Sequence, residues 1–271
     1  MGTHRKSPTP NAELCSVFAE GSALRDGCQE QNISWQLAEE TPVAFVYNTV
    51  AHAVMMATPA DLEDFAMGFS ISEEIIDRPD AVMLTKVENH DAGTRLCIAV
   101  DPDHLGRGFS ARRNMAGRTG CGLCGIEDLK NAVREPKPVG TPRANVHAAA
   151  ILRAFEDLPR HQPMNRLNRS VHAAAFCDRE GRILLAREDI GRHNALDKLI
   201  GAMYRAKLNP TDGFVAMTSR CSFELVQKAA AANIPMLATI SAPTALAVDL
   251  AKRAEMSLAA LSHPGAVVKF P

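Results

Sequence analysis

The sequence predicts an α/β fold in two units: a small mixed α+β unit, then a larger domain in which strands and helices alternate. Three observations predict it. The last third reads strand, helix, strand, helix, strand over short links, the pattern of parallel strands joined by right-handed crossovers. The first half reads as two hairpins around one helix. Between the halves, Pro136, Pro138, Gly140 and Pro142 crowd into a junction. These divide the chain into a loose tail over 1–32, a mixed unit over 33–138 and an α/β domain over 139–271.

Taken in order, the tail carries Pro8 and Pro10 among polar residues without periodicity. Ile33 to Leu37 suits an edge strand. Val43 to Tyr47 and Ala53 to Met56 compose a hairpin whose turn lacks glycine. Thr58 followed by Pro59 predicts a helix start, with a hydroxyl cap and a proline at the first helical position. Leu62, Phe65, Ala66 and Phe69 then fall on one helical face. Val82 to Val87 and Leu96 to Val100 bracket a second hairpin around Asn89 to Gly93. Past the junction, Ala148 to Leu158 is helical, and Val171 to Cys177 pairs with Ile183 to Arg187. The helix that follows Asp189 is expected to end near Gly201. Phe214 to Thr218, Met236 to Ile240 and Leu258 to Leu261 are the later strands, with helices at Phe223 to Ala232 and Thr244 to Arg253 between them.

Composition excludes several classes. The 271 residues are 46% hydrophobic and 23% charged, with a net charge of -1, so nothing general attracts a nucleic acid or a membrane surface. No apolar run approaches the roughly 20 residues that cross a bilayer. The first residues lack the order of a secretion signal, and a cytoplasmic location is expected. Seven cysteines at irregular spacing do not form a disulfide framework. Cys15, Cys28, Cys97, Cys177 and Cys221 read as small hydrophobes.

The remaining two cysteines are different. Arg118-Thr119-Gly120-Cys121-Gly122-Leu123-Cys124-Gly125 places both thiols among glycines that free the backbone. Arg112, Arg113 and Arg118 precede them, and a helix start at Ile126 follows, all favouring thiolates. Three chemistries compete. Structural zinc needs a second ligand pair, which the chain lacks, and a zinc deaminase needs a His-x-Glu that is absent here. A thioredoxin-like dithiol belongs after the first strand of a βαβ unit. Sulfur carriage needs a low-pKa thiol and an acceptor pocket.

A pocket is expected where the parallel strands end, at Ser219-Arg220, Ser241-Ala242-Pro243-Thr244 and Ser262-His263-Pro264-Gly265. The first two precede helices, whose N-termini attract anions, and Arg220 offers bidentate donors to a phosphate. The alternative is that these hydroxyls only cap helices. In Glu188-Asp189-Ile190-Gly191-Arg192-His193-Asn194-Ala195-Leu196-Asp197-Lys198, His193 and Asp197 share a helix face, so the carboxylate is positioned to orient the imidazole. His172 heads an apolar strand and serves either as a strand histidine or as a catalytic one.

Together, Thr119 to Gly125, Glu188 to Lys198, Ser219-Arg220 and Ser241 to Thr244 resemble the formate dehydrogenase accessory sulfurtransferase (FdhD/NarQ) family. The likeness runs from Pro42-Val43-Ala44 through Gly68-Phe69 to Pro264-Gly265. It implies a C-terminal domain similar in fold to cytidine deaminases, a three-layer α/β domain without their zinc. It implies a sulfurtransferase that takes persulfide sulfur from a cysteine desulfurase and passes it to the molybdenum cofactor, bis-molybdopterin guanine dinucleotide, needed by formate dehydrogenase. The runner-up is a chaperone that delivers this cofactor without chemistry. Cys121 corresponds to the carrier and Cys124 to a second sulfur-handling thiol. The resemblance further implies a homodimer that binds guanine nucleotides such as guanosine diphosphate, holding the cofactor as a client and no metal of its own. The cofactor segment corresponds to Leu261, Ser262, His263, Pro264, Gly265 and Ala266, which lacks the arginine usual in the family. Arg220 or His263 is then expected to carry more of the phosphate contact.

Overall fold

The computed structural model describes residues 15–24, 30–112, 133–140, 146–262 and 265–270. Cys28, Cys121, Cys124, His263 and Pro264 lie outside them. Strands β1 (Ser16–Ala23) and β2 (Gln31–Ala38) form an antiparallel ribbon. Residues 16–23 were expected within the tail. Both ribbon faces are largely exposed, so no apolar alternation marked β1, and the ladder to β2 supplies its order.

A second sheet has the order β4-β3-β6-β5, from β3 (Thr41–Tyr47), β4 (Val50–Ala57), β5 (Val82–His90) and β6 (Gly93–Val100). The β3–β4 turn works without glycine. Asn48 and Thr49 both take positive φ, and the Asn48 amide bridges both backbone groups of Val100 at 2.7 and 2.8 Å. Helix α1 (Leu62–Ser72) covers one face, where Phe45 stacks on Phe69 with ring centroids 4.2 Å apart. A short helix α2 (Arg107–Arg112) follows this sheet.

The C-terminal domain is a six-stranded sheet between two helical layers. Its elements are α3 (Ala148–Asp157), α4 (Pro163–Asn168), β7 (His172–Asp178), β8 (Ile183–Asp189), α5 (Arg192–Arg205) and β9 (Gly213–Arg220). Then come α6 (Phe223–Ala231), β10 (Met236–Ser241), α7 (Ala245–Arg253), β11 (Ser257–Leu261) and β12 (Val267–Phe270). The sheet order is β12-β11-β10-β9-β7-β8, with β9, β10 and β11 parallel. Side chains alternate between layers. Phe176, Val215, Met217 and Leu237 pack under α5, α6 and α7, whereas Ala175, Phe214, Ala216 and Met236 face α3. This is the α/β class that the alternation predicted.

Helix α5 runs on to Arg205 rather than ending near Gly201. Gly201 sits instead where α5 crosses α1. A Cβ there would lie 1.9 Å from the Asp64 carbonyl oxygen, and one on Gly68 would lie 1.6 Å from that of Asp197. Two facing glycines therefore let the helices touch backbone to backbone, joining the small unit to the large domain. Thr58 also departs from expectation. Helix α1 starts at Leu62 behind Asp61, and Thr58 is consumed by contacts to the other domain.

Candidate functional site

The motif from Glu188 to Lys198 divides into two clusters along α5. One is buried and complete. Lys198 Nζ lies 2.6 Å from Asp189 Oδ2 and donates to the Thr58 carbonyl at 2.8 Å, with both charged side chains fully enclosed. Asp189 also accepts from the backbone N–H groups of Thr58 and Gly191 and from Asn194 Nδ2. Asn194 in turn donates to the Met56 carbonyl. These residues clamp the end of β4 to α5.

Asp197 belongs to the same buried group. It is fully enclosed, accepts from Ser72 Oγ, and receives Lys228 Nζ at 2.7 and 2.9 Å. Lys228 reaches Glu73 at 2.8 Å, and Glu73 reaches Arg134 at 2.9 Å. The expected pairing of Asp197 with His193 does not form, because Lys228 on the neighbouring helix offers a full charge at shorter range. Asp197 is thereby removed from any ligand.

The other cluster lies at the carboxyl edge of the parallel strands, where the N-termini of α5 and α6 meet. His193 Nε2 stands 3.8 Å from Glu224 Oε2, too long for a hydrogen bond. Arg192 Nε, His193 Nε2, Ser222 Oγ and Glu224 Oε2 are buried atoms with no hydrogen-bond partner among the described residues. Burial alone would raise the Glu224 carboxyl, but His193 and the Ser222 hydroxyl outweigh it and hold it at about 2. Burial lowers the His172 imidazole at the start of β7, which lies on this same edge.

The hydroxyls at this edge sort by their bonds. Thr244 is a plain helix cap, accepting from the Ala247 N–H at 3.2 Å, and its own N–H ties to the Cys221 carbonyl. Ser219 is buried and donates to the Arg220 carbonyl, while Ser241 is exposed and its carbonyl accepts from Thr239. Ser222 occupies the N-cap of α6 without capping it. Arg220 is exposed at the end of β9. Leu261 closes β11, and Ser262 N–H bonds the Ala266 carbonyl across a turn in which Gly265 takes φ +79°. That turn leads into β12, which sequence reading left out.

The edge therefore gathers Ser219, Arg220, Ser241 and Thr244 together with His193, while Asp197 is buried away from it. Arg192, Ser222 and Glu224 were missed. Their only signal was a polar residue at each helix start, indistinguishable from ordinary capping. Cys121 and Cys124, His263 and Pro264 lie outside the described residues. Of the other cysteines, burial pushes the Cys177 and Cys221 thiols up to about 12, leaving them inert. No described helix is long and apolar enough to cross a membrane.

Fold and edge define an α/β protein with buried, unsatisfied polar groups at the carboxyl edge of its larger sheet. The chain belongs to the FdhD/NarQ family, which matches residues 38–270. It is 46% identical over 232 residues to the sulfur carrier protein FdhD of Xanthomonas campestris pv. campestris strain B100, covering 86% of this chain and 82% of that one. A protein of the same name from Chromobacterium violaceum is 46% identical over 237 residues, covering 87% and 88%. One from Xanthomonas oryzae pv. oryzae is 44% identical over 268 residues, covering 96% and 95%. A crystal structure from Desulfotalea psychrophila, described as a formate dehydrogenase accessory protein, superimposes with a TM-score of 0.72. At 24% identity, covering 94% of this chain and 96% of that one, it supports the fold alone.

Proposed function

We propose that this protein is a sulfur carrier for formate dehydrogenase maturation. A cysteine desulfurase presents a persulfide, and the Cys121 thiolate attacks its outer sulfur. The new Cys121 persulfide forms as the desulfurase thiolate leaves. Cys124 is the second sulfur-handling thiol. The acceptor is the molybdenum cofactor, bis-molybdopterin guanine dinucleotide, held as a client at the carboxyl edge. Guanosine diphosphate matches the nucleotide end of one of that client's two arms and occupies the same place. The protein works in the cytoplasm as a homodimer.

The observation that carries this reading is the unsatisfied donor set at the edge. Buried polar atoms without partners are costly, and the donors among them, Arg192, His193 and Ser222 on two helix N-termini, suit an anionic visitor, with Glu224 Oε2 the one unmet acceptor beside them. Arg192, His193 and Ser222 would contact its phosphates, with Arg220 at the exposed rim. Glu224 is held ionised at neutral pH beside them.

Incubation with a desulfurase and cysteine should add one sulfur to the Cys121 peptide by mass spectrometry. Cys121→Ala should abolish formate dehydrogenase activation in a strain lacking the wild-type protein. An unmodified Cys121, with full activation by Cys121→Ala and Cys124→Ala, would favour a chaperone that only delivers the cofactor.

A further inference from the structure

The ribbon of β1 and β2 is amphipathic and open. Its register sets Val17 opposite Leu37, Ala19 opposite Trp35 and Gly21 opposite Ile33, and cross-strand partners share a face. That face is apolar, yet Val17, Trp35 and Leu37 are 52%, 42% and 43% exposed. Glu20, Ser22, Asn32, Ser34 and Gln36 lie on the other side, together with Phe18. The root of the ribbon is packed, where Cys15 and Ala38 join Met164 and Leu167 of α4. A two-stranded ribbon is marginal in water by itself, so one with a bare apolar face needs a cover.

A second open apolar surface lies on the sheet β4-β3-β6-β5. Helix α1 covers the face of Val43, Phe45, Leu96 and Ile98. The opposite face presents Ala44, Val46, Cys97 and Ala99 along its centre, half-buried, between exposed Val54 and Met56 on β4 and exposed Leu84 on β5. Small side chains flanked by larger ones make a shallow trough, which suits the bulkier Ile33, Trp35 and Leu37. The charges on this face are paired within the chain, Glu88 holding Lys86 at 2.8 Å and Arg95 at 3.8 Å. One copy does not bring the two surfaces together, since both stay exposed. Glu39 and Glu40 alone link β2 to β3, and the Glu39 N–H bonds the Cys15 carbonyl, which fixes the root of the ribbon.

We propose that each ribbon lays its apolar face on the open sheet face of a second copy, reciprocally about a two-fold axis. Area favours a second copy over an unrelated partner. Strands of eight residues give a ribbon roughly 27 Å long and about 10 Å wide. Such a face against one partner buries about 540 Å² in total, short of the roughly 1,000 Å² that a specific interface needs. Two reciprocal contacts bury about 1,100 Å² and pass that mark. The proposal rests on the homodimer reading and assigns the surface that forms it, and its test separates the two.

Trp35 is the one tryptophan of the chain, so its emission reads this contact directly. Sedimentation of the full chain should show a dimer, in which Trp35 resists quenching by acrylamide. Leu37→Glu on the ribbon and Val54→Asp on the sheet, each checked by its melting curve, should raise the dimer dissociation constant about tenfold or more and open Trp35 to the quencher. An equimolar mixture of the two variants should dimerise more tightly than either alone, because one intact ribbon then meets one intact sheet face. A wild type that stays monomeric at its highest soluble concentration removes the homodimer reading, and this proposal with it. A dimer whose Trp35 is quenched freely, or that both variants leave intact, overturns the proposal and keeps the homodimer. If Leu37→Glu dissociates the dimer while Val54→Asp does not, ribbon meets ribbon and the proposal is wrong. Should a variant fail to fold, the quenching of Trp35 in the wild-type dimer decides alone.

Discussion

Two clusters that both draw on the start of α5, equally polar in sequence, end in opposite states. The inner cluster of Asp189, Asn194, Asp197 and Lys198 is sealed, and its charges and amides meet partners at hydrogen-bonding distance. The outer cluster of Arg192, His193, Ser222 and Glu224 is nearly as buried but leaves four polar atoms unmet. The difference teaches that two similarly buried clusters can differ in how completely their polar atoms are satisfied. The complete network ties β4 and α1 to α5, whereas the incomplete one leaves buried polar atoms unmet.

The sharpest way to break this contrast is Lys198→Met. It leaves Asp189 buried without its cation, and we expect a loss of about 3–5 kcal/mol in urea unfolding. A loss below about 1 kcal/mol would show that the inner cluster is not the clamp. Gly68→Ala comes next. Its Cβ would fall 1.6 Å from a backbone oxygen, so α1 and α5 must separate, at a cost of about 1–3 kcal/mol or more. Unchanged thermal stability would mean that the helices do not cross as described.

Glu188 offers a pH test of the domain's rigid side. Burial raises its carboxyl to about 7, although the Met164 and Asn165 backbone N–H groups of α4 both donate to it. The folded state therefore holds a proton that the unfolded state releases near its ordinary value. Stability from this group is present below about 4.5 and is lost as pH rises through about 7. Unfolding free energy should fall between pH 5 and 7.5, a slope that Glu188→Leu removes. An identical slope in the variant would assign it elsewhere.

The smallest stability effects should come from the outer cluster, where the largest binding effects are expected. His193→Ala and Arg220→Ala should each unfold within about 1 kcal/mol of wild type. Both should weaken guanosine diphosphate by about tenfold in calorimetry. Unchanged affinity in both would move the phosphate site away from the edge.

Much of this was legible in advance for definite reasons. The strands from Phe214 onward are continuous apolar runs bounded by Gly, Pro and Ser, as a doubly covered sheet requires. The edge was legible because strand ends in such sheets face the same way. What failed was assignment by local pattern. Gly201 read as a helix stop, and Thr58 read as a cap. His193 and Asp197 were paired by spacing, but Asp197 takes its partners from α6 and from the end of α1, and His193 Nε2 is left without one.

The sequence by itself determined the α/β alternation, the family and the row of strand ends, because periodicity and motif order are local properties. Only the tertiary structure decided which polar residues are spent and which remain open. That choice depends on distances between segments far apart in the chain, such as Lys228 to Asp197 and Thr58 to Asp189. A charge is structural or functional according to whether the fold brings it a partner, and no spacing along one helix contains that information.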